Sequence, residues 1–278
     1  MNADSRAHPA GPQDSNPAQW EVYSLRYATQ PPRPANEVFL EPPEGAQPHP
    51  FDYFFWILRR GLHCVVIDCG FGDDLAKARG RTLLAHPAEQ MQALGITVDN
   101  VKALVLTHLH YDHAGRTHLF PASEIVVQAA ELRHCTGPAM TDPTLRKHYV
   151  PAHIAMVVEA VFAGRVRFLE GDSEIEPGIS LHLLPGHTPG QQVVRVETAR
   201  GPLVLASDAL HLSINLEKRN PFPIQENMDE SYRVFDRLVA LAGAQERIVP
   251  GHDRAFAENH PPYAGRPDVR CLHLEPTR

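Results

Sequence analysis

Four side chains that commonly bind metal ions stand within one short segment of the chain. The segment VLTHLHYDHAG (105–115) contains His108, His110, Asp112 and His113, and it begins as an apolar run of strand length. Imidazole nitrogen and carboxylate oxygen together suit Zn²⁺, and also Mn, Fe or Co. The segment therefore predicts a metal site at the end of a strand. Nonspecific capture of metal by a histidine-rich loop is the alternative.

Three further candidate ligands occupy the same kind of position, each after an apolar run. His187 stands in LLPGHTPG, Asp208 in LVLASDAL and His252 in RIVPGHD. Any one of them alone is typical of a loop or helix-capping residue. Together with the histidine-rich segment, they indicate a preorganised site that is assembled from loops at one rim of the fold.

Other residues that could do chemistry receive a structural interpretation. Asp68 in VIDCG is interpreted as a turn residue, or as a carboxylate that orients a ligand histidine. Five histidines lack a strand-end context and are interpreted as unrelated to the site: His118, His134, His148, His153 and His182.

Composition and charge narrow the class of protein. The chain has 278 residues, of which 43% are hydrophobic and 21% charged, as in globular proteins with a substantial core. A formal net charge of −7 disfavours a nucleic-acid partner. No apolar stretch reaches membrane-spanning length, so no membrane association is expected.

The cysteines and the N-terminus predict a cytoplasmic location. The four cysteines are scattered and form no C-x-x-C pair, which fits a reducing compartment. The N-terminal residues lack the basic start and apolar run of a signal peptide. Residues 1–18 are rich in Pro, Ala, Asn and Ser, and they predict a flexible arm.

Strand-like and helical patterns explain how the candidate ligands would be positioned. Apolar runs predict strands over residues 21–28, 51–58, 63–70, 101–107, 124–128, 166–171, 179–186, 191–198, 201–208 and 247–253, with the last of these closing the series. Helical patterns cover about 81–95, a segment from about Ala129, 144–163 and about 229–243. The proline-rich segment 29–50 predicts a long loop, and such loops are often functional. Two sheets packed back to back and covered by helices fit this order, as do other α+β layouts.

The predicted strand FDYFFWIL is unusually aromatic. Its aromatic residues are Phe51, Tyr53, Phe54, Phe55 and Trp56. We interpret them as core residues of a buried hairpin, because aromatic and β-branched residues favour strands. Lining of an acyl-binding pocket is the alternative.

The motifs THLHYDHAG, PGHTPG, SDA and PGHD, in that order, resemble the metallo-β-lactamase superfamily. The N-acyl-homoserine lactonase branch is the most similar, notably over LEGDSEIEPGISLHLLPGHTPGQQVVRVET. The resemblance runs from about Glu21 to Phe256. It implies an αββα four-layer sandwich of two mixed sheets flanked by helices, with residues 19–278 as a single metallo-hydrolase domain.

The resemblance also implies two divalent metal ions, with Zn²⁺ as the first candidate. The ligands of one ion would be His108, His110 and His187. The ligands of the other ion would be Asp112, His113 and His252, with Asp208 bridging the two ions. A hydroxide between the ions would be the nucleophile, and a metal-bound water can have a pKa near 7. Asp208 or Asp112 would help to protonate the leaving alkoxide.

Two positions carry further information about the reaction. Relatives that reduce oxygen have Glu in place of His110, so a histidine there favours hydrolysis. In the lactonase branch, a tyrosine three residues after the bridging aspartate contacts the lactone oxygen. This chain has His211 at that position. His211 is a candidate catalytic residue that donates a hydrogen bond in place of the tyrosine; a different substrate and an ordinary polar loop are the alternatives.

The sequence thus predicts a dinuclear metal hydrolase that opens a lactone, with an N-acyl-homoserine lactone, and hence quorum quenching, as the candidate substrate and role. Its partner would be a small-molecule lactone or ester, and oligomerisation is left open. A thioesterase of the glyoxalase II type, or another carboxylic-ester hydrolase, is the alternative within enzymes. The short segment after His252 counts against glyoxalase II. A non-catalytic metal-binding sensor is the alternative outside enzymes.

Overall fold

The computed structural model describes residues 19–277 of the chain. Within this span it contains fourteen strands: β1 (Glu21–Arg33), β2 (His49–Arg60), β3 (His63–Ile67), β4 (Thr82–Leu83), β5 (Val101–Val105), β6 (Glu124–Gln128), β7 (Val166–Leu169), β8 (Ser173–Glu176), β9 (Ile179–Leu183), β10 (Gln192–Thr198), β11 (Gly201–Ser207), β12 (Ile248–Pro250), β13 (Pro262–Tyr263) and β14 (Arg266–Cys271). The predicted arm over residues 1–18 lies outside the described part of the chain.

Ten α-helices connect or cover these strands within residues 19–277: α1 (Ala35–Val38), α2 (Asp73–Ala78), α3 (Pro87–Ala93), α4 (Tyr111–Ala114), α5 (Ala129–Cys135), α6 (Pro143–Arg146), α7 (Pro151–Phe162), α8 (Ser213–Glu217), α9 (Met228–Ala242) and α10 (Arg254–Glu258). Short 3-10 helices cover Val98–Asn100, Thr117–Leu119, Pro138–Thr141 and Gln245–Arg247. In this span, no helix is both long and apolar enough to cross a membrane.

The described strands form two mixed sheets. The first follows the order β13-β14-β1-β2-β3-β5-β6-β7, with β4 also paired to β1. Its strands β3, β5, β6 and β7 run parallel, whereas β1, β2 and β3 pair antiparallel. The second follows the order β12-β11-β10-β9-β8, in which β11 and β12 are parallel and the other neighbours antiparallel. The α+β class with two mixed sheets agrees with the prediction.

Strand β2 shows how the two sheets share one core. Successive side chains of a strand point to opposite faces of the sheet. Phe54 and Trp56 therefore pack between the sheets, against residues of the second sheet such as Leu181 and Val194. Phe51, Tyr53 and Phe55 point the other way and face the helices that cover the first sheet. The aromatic run is thus a core strand, as predicted.

Helices cover the outer face of each sheet. Met91 of α3 and Val157 of α7 are buried in the cluster on the outer side of the first sheet. Val234 and Leu238 of α9 are buried against the outer side of the second. The layers therefore run helix, sheet, sheet, helix, which is the predicted four-layer sandwich. Helix α9 ends at Gly243, whose φ of 73° requires a residue tolerant of the left-handed region.

The predicted loop over residues 29–50 is partly wrong. Strand β1 continues to Arg33, which pairs with His49 at the start of β2. The ladder between these strands is interrupted between Gln30 and Arg33, where two prolines follow each other and cannot donate backbone hydrogen bonds. Helix α1 lies between the two strands. The prolines thus interrupt the pairing without ending the strand.

Prolines also shortened two of the predicted helices. The pattern over 81–95 contains β4 and then α3, whose first residue is Pro87. The pattern over 144–163 is divided into α6 and α7, and α7 begins at Pro151. A proline disfavours helical geometry in the residue before it but is well tolerated in the first turn. Each helix therefore starts at its proline.

The predicted final strand is not the last of the chain. Strand β12 is followed by β13 and β14, and β14 pairs with β1 with Tyr23 opposite Cys271. Strand β8 was also absent from the prediction, because its sequence SEIE has a single apolar residue. The predicted helices near Ala129 and over 229–243 are confirmed as α5 and α9.

Candidate metal centre

The candidate ligands lie just beyond the carboxyl ends of strands from both sheets. The ligands that follow β5 of the first sheet are His108, His110, Asp112 and His113. The ligands that follow β9, β11 and β12 of the second sheet are His187, Asp208 and His252. All seven side chains are buried. Rigid strands thus deliver every sequence-predicted ligand to one place.

The ligand atoms fall into groups that could each hold a metal ion. In each group, the candidate donor atoms lie within 4.8 Å of one another. One group contains His108, His110 and His187, and another contains Asp112, His113 and His252. These are the same two sets that the family resemblance implies for the two ions.

Asp208 lies between the two groups and faces both. Its Oδ1 is 2.9 Å from Nε2 of His252 and 3.2 Å from Nε2 of His113. Its Oδ2 is 3.4 Å from Nε2 of His187 and 3.9 Å from Nε2 of His108. Because each oxygen faces a different set of histidines, the carboxylate has the placement that a bridging ligand requires.

Hydrogen bonds on the outer side of the cluster fix the histidine rings. Nδ1–H of His187 donates to the carbonyl oxygen of Ile224 at 2.6 Å, and Nδ1–H of His252 donates to that of Asp52 at 2.7 Å. A ring nitrogen that donates outward leaves the lone pair of Nε2 directed inward. The orientation of both rings is therefore suited to ligating an ion in the cluster.

Asp68 provides the same support for His113. Its Oδ2 accepts a hydrogen bond from Nδ1 of His113 at 2.8 Å, and its Oδ1 accepts from the backbone N–H of Thr107 at 2.8 Å. The backbone of Asp68 has a φ of 61°, a conformation that aspartate and asparagine tolerate better than most residues. The structure thus agrees with the interpretation of Asp68 as a carboxylate that orients a ligand histidine.

Unsatisfied nitrogens show that the cluster fits metal ions. Nε2 of His108 and Nε2 of His113 are buried, and neither has a hydrogen-bond partner among the described residues. Nε2 of His187 lies 2.9 Å from Nδ1 of His110. Two neutral imidazoles at this distance form a hydrogen bond only if one of these two nitrogens carries a proton and the other does not. Buried polar atoms without partners are costly, and metal ligation would satisfy them.

The electrostatics of the cluster lead to the same conclusion. Burial, together with the neighbouring histidines, holds the pKa of His108 and of His110 well below its usual value, so both rings are neutral. Around His113, burial is outweighed by Asp208, Asp68 and Asp112, which raise its pKa well above the usual value. The neutral imidazoles of His108 and His110, together with the carboxylates around His113, suit divalent cations such as Zn²⁺.

Residues 50–252 match the model of the Metallo-beta-lactamase superfamily. The chain belongs to this superfamily. The matched span contains every candidate ligand, and it confirms the resemblance on which the predicted fold depended. The superfamily is one of metallo-hydrolases, and the donor atoms of this chain form groups that could each hold a metal ion.

Curated relatives include lactonases and other hydrolases. An N-acyl homoserine lactonase from Bacillus sp. is 31% identical over 133 residues, which are 48% of this chain and 48% of that protein. A probable metallo-hydrolase from Mycobacterium tuberculosis is 29% identical over 208 residues, which are 68% of this chain and 66% of that protein. The chain therefore spans about half the length of the curated lactonases it matches.

Solved structures share the fold. The crystal structure of a quorum-quenching N-acyl homoserine lactone lactonase superposes with a TM-score of 0.67 at 21% identity, covering 84% of this chain and 92% of that one. A dizinc quorum-quenching lactonase in complex with a product superposes with a TM-score of 0.64 at 15% identity, covering 86% and 90%. At these identities the likeness establishes the architecture and not the substrate.

His211 lies in the loop after β11 and beside the candidate ligands. It is buried, its Nε2 lies 3.0 Å from Oδ2 of Asp208, and its ring stacks on Phe222 with centroids 3.3 Å apart. Burial holds its pKa well below the usual value despite the neighbouring Asp208 carboxylate. With Asp208 and His252 it also forms a further group of atoms that could hold an ion.

A cleft of about 380 Å³ opens above the cluster, and sequence analysis missed much of its lining. His148 contributes to it with its ring 5.2 Å from that of His110, so the interpretation of His148 as unrelated to the site is wrong. Arg33 also lines the cleft, and it comes from the proline-rich segment that was predicted to be functional. Arg79, Arg81 and Lys147 are further lining residues that the sequence analysis missed, because their local sequence gave no signal.

Proposed function

We propose that this chain is a dinuclear metal-dependent hydrolase that opens a lactone ring. The observation that carries the proposal is the placement of Asp208, whose two carboxylate oxygens face two separate groups of histidines. The proposed ligands of the first ion are His108, His110 and His187. The proposed ligands of the second ion are Asp112, His113 and His252, and Asp208 would bridge the pair. Zn²⁺ is the first candidate, with Mn, Fe and Co as alternatives.

The chemistry divides between the ions and the protein. When bound, the two ions would supply an activated water and a Lewis acid for the substrate carbonyl. Water adds to the carbonyl carbon, the ring C–O bond breaks, and the proton lost by the water ends on the leaving alkoxide. Asp112 and Asp208 both line the cleft, so either carboxylate can carry that proton. The product is a hydroxy acid.

His211 has two proposed roles that differ in where its proton points. As a neutral ring, it donates from Nε2 to Oδ2 of Asp208 and holds that carboxylate in place. Donation to the substrate oxygen, the role expected from the tyrosine of the lactonase branch, requires a rotated ring or a second proton on Nδ1. The short contact with Asp208 supports the positioning role in the resting protein.

N-acyl-homoserine lactones are the first substrates to test, because the curated relatives and solved structures carry their name. A thioesterase or another ester hydrolase of the same fold is the second candidate, since cationic side chains line the cleft. In either case residues 19–278 would act as one metallo-hydrolase domain on a small molecule, without nucleic acid or membrane. The cytoplasmic location stays a prediction.

The deciding experiment is a substrate panel measured on one metal-loaded sample. Lactones, thioesters, aryl esters and β-lactams are assayed by proton release, and the metal content is determined in parallel. We expect the protein to hydrolyse lactones, to lose this activity when a chelator removes the metal, and to regain it when metal is added back. Cleavage of thioesters or aryl esters without any lactone hydrolysis would favour the second candidate. Metal binding without turnover of any substrate would favour the sensor.

A further inference from the structure

The cleft above the ligand cluster carries four cationic side chains. Arg33, Arg79, Arg81 and Lys147 all line it. Among the described residues, none of these four comes within ion-pair distance of a carboxylate. Other described arginines are paired with carboxylates, as Arg254 is with Asp52 at 2.7 Å. The cleft thus presents positive charge that the protein itself leaves unneutralised.

Arg33 is the most informative of the four. Its side chain belongs to a residue that is only 8% exposed, and its Nε is buried without a hydrogen-bond partner among the described residues. The guanidinium carbon lies 3.6 Å from the centroid of the Phe51 ring. The same ring stacks on His252 with centroids 4.1 Å apart. A buried charge without a partner is costly, so a site that keeps one is suited to an anion.

Aromatic rings and a backbone carbonyl, and not carboxylates, hold Arg79 and Arg81. The Arg79 guanidinium lies 4.0 Å from the centroid of Tyr111 and donates from Nη2 to the carbonyl oxygen of Lys147 at 2.7 Å. Arg81 has a buried Nε without a hydrogen-bond partner in the described part of the chain, and its guanidinium lies 5.8 Å from the centroid of Tyr53. Stacking fixes the direction of a guanidinium while its charge remains available.

The acidic groups in the cleft do not cancel this charge. Asp112 and Asp208 belong to the ligand cluster, where histidines and the proposed ions face them. Glu37 also lines the cleft, but its side chain is exposed and makes no ion pair with a described residue. The positive side chains therefore face whatever enters from solvent.

We propose that the substrate carries an anionic group, a carboxylate or a phosphate-like group, on the arm that extends from the hydrolysed bond. Arg33 binds this group, and Arg81 and Arg79 add positive charge within the same cleft. The inference rests on the proposed function and narrows it to acidic lactones or esters. A neutral acyl-homoserine lactone would leave Arg33 without a partner.

Three lactones that differ at the end of one arm test the proposal. N-glutaryl-, N-(4-phosphonobutanoyl)- and N-hexanoyl-homoserine lactone present a carboxylate, a phosphonate and an ethyl group at the same distance. At least one anionic substrate should exceed the neutral one by about tenfold to a hundredfold in kcat/KM, mostly through KM. The two anionic arms show which anion the site prefers. Equal or better hydrolysis of the hexanoyl compound would overturn the proposal.

Substitutions identify the residue responsible. Arg33→Gln should lower kcat/KM for the anionic substrate far more than kcat/KM for N-hexanoyl-homoserine lactone, and so remove most of the anionic advantage. Arg33→Lys keeps the charge without the planar fork and should retain part of the advantage. Arg219→Gln, at an exposed pair with Asp236, is the matched control and should change nothing. An equal loss on both substrates in Arg33→Gln would assign Arg33 a structural role and overturn the proposal.

Two further measurements separate this inference from the proposed function. The aryl esters 4-nitrophenyl hydrogen glutarate and 4-nitrophenyl hexanoate repeat the comparison without a lactone ring. Calorimetric titration with N-glutaryl-homoserine and N-hexanoyl-homoserine repeats it without turnover. If no lactone is hydrolysed but the glutaryl compounds react or bind preferentially, the proposed function has failed and the inference stands. If the neutral compounds are equal or better throughout, the inference is wrong.

Discussion

Nε2 of His211 lies 3.0 Å from Oδ2 of Asp208, the carboxylate that faces both groups of candidate ligands. The His211 ring is held in this position by stacking on Phe222 and by burial. The hydrogen bond therefore orients the carboxylate that faces both proposed metal sites. His211 stands where the lactonase branch has a tyrosine, and it contacts the carboxylate at the centre of the proposed site.

Substitution of His211 tests its role in catalysis. His211→Phe keeps the stacking on Phe222 but removes the donor, and we expect kcat to fall by about a hundredfold with the metal content unchanged. His211→Tyr restores a donor and should recover much of the activity. The measurements are kcat by proton release and metal by elemental analysis. Loss of an ion in His211→Phe would make His211 a ligand, and an unchanged kcat would remove it from the mechanism.

Substitution of Asp68 tests whether its hydrogen bond with Nδ1 of His113 orients that ring for metal binding. Asp68→Asn tolerates the left-handed backbone but weakens the acceptor for Nδ1–H of His113, so zinc affinity should fall about tenfold to a hundredfold. Competition with a chromophoric chelator measures this affinity. Asp172→Asn is the matched control, because Asp172 accepts from Nδ1 of His182 at 2.8 Å outside the cluster. Equal zinc affinity in the two variants would contradict the account.

Asp52 should stabilise the fold in a manner that depends on pH. Burial opposes ionisation, but hydrogen bonds from Arg254, Thr29 and Arg26 outweigh it and lower the pKa of the Asp52 carboxyl. A carboxyl with a lowered pKa in the folded state stabilises the protein above its unfolded pKa. This stabilisation is lost as the pH falls through the folded value.

Asp52→Asn should therefore lower the free energy of unfolding at pH 7 by about 1.5–3 kcal/mol, with a smaller difference in acid. Urea unfolding of both proteins in chelator, at pH 7 and below pH 4, measures the two differences. Asp236→Asn, at an exposed pair with Arg219, should have no measurable effect at either pH. A difference that is the same at both pH values would show that the charge of Asp52 is not the cause.

The sequence predicted which candidate ligands the fold brings together, because each of them lies within a few residues of a recognisable strand end. His187 and Asp208 could be identified as candidate ligands from their local motifs and from the order of those motifs along the chain. The strand series was predicted for the same reason, since alternation and apolar runs are local signals, whereas the four-layer sandwich was predicted from the family resemblance.

The cationic lining of the cleft could not be predicted in this way. Arg33 follows two prolines in a segment without a periodic pattern, and Arg79 and Arg81 flank a glycine after a short helix. These residues converge with His148 only when the sheet and its loops are assembled. Helix starts at Pro87 and Pro151 were missed because a proline inside an amphipathic pattern can begin a helix as well as interrupt one.

The most direct test of the central claim is the number of metal ions per chain in the wild type and in Asp208→Ala. Both proteins are saturated with Zn²⁺, freed of excess metal, and measured by elemental analysis. We expect about two ions per chain in the wild type, and fewer in the variant together with loss of hydrolysis. One ion or fewer in the saturated wild type, or an Asp208→Ala variant that stays fully loaded and active, would contradict it.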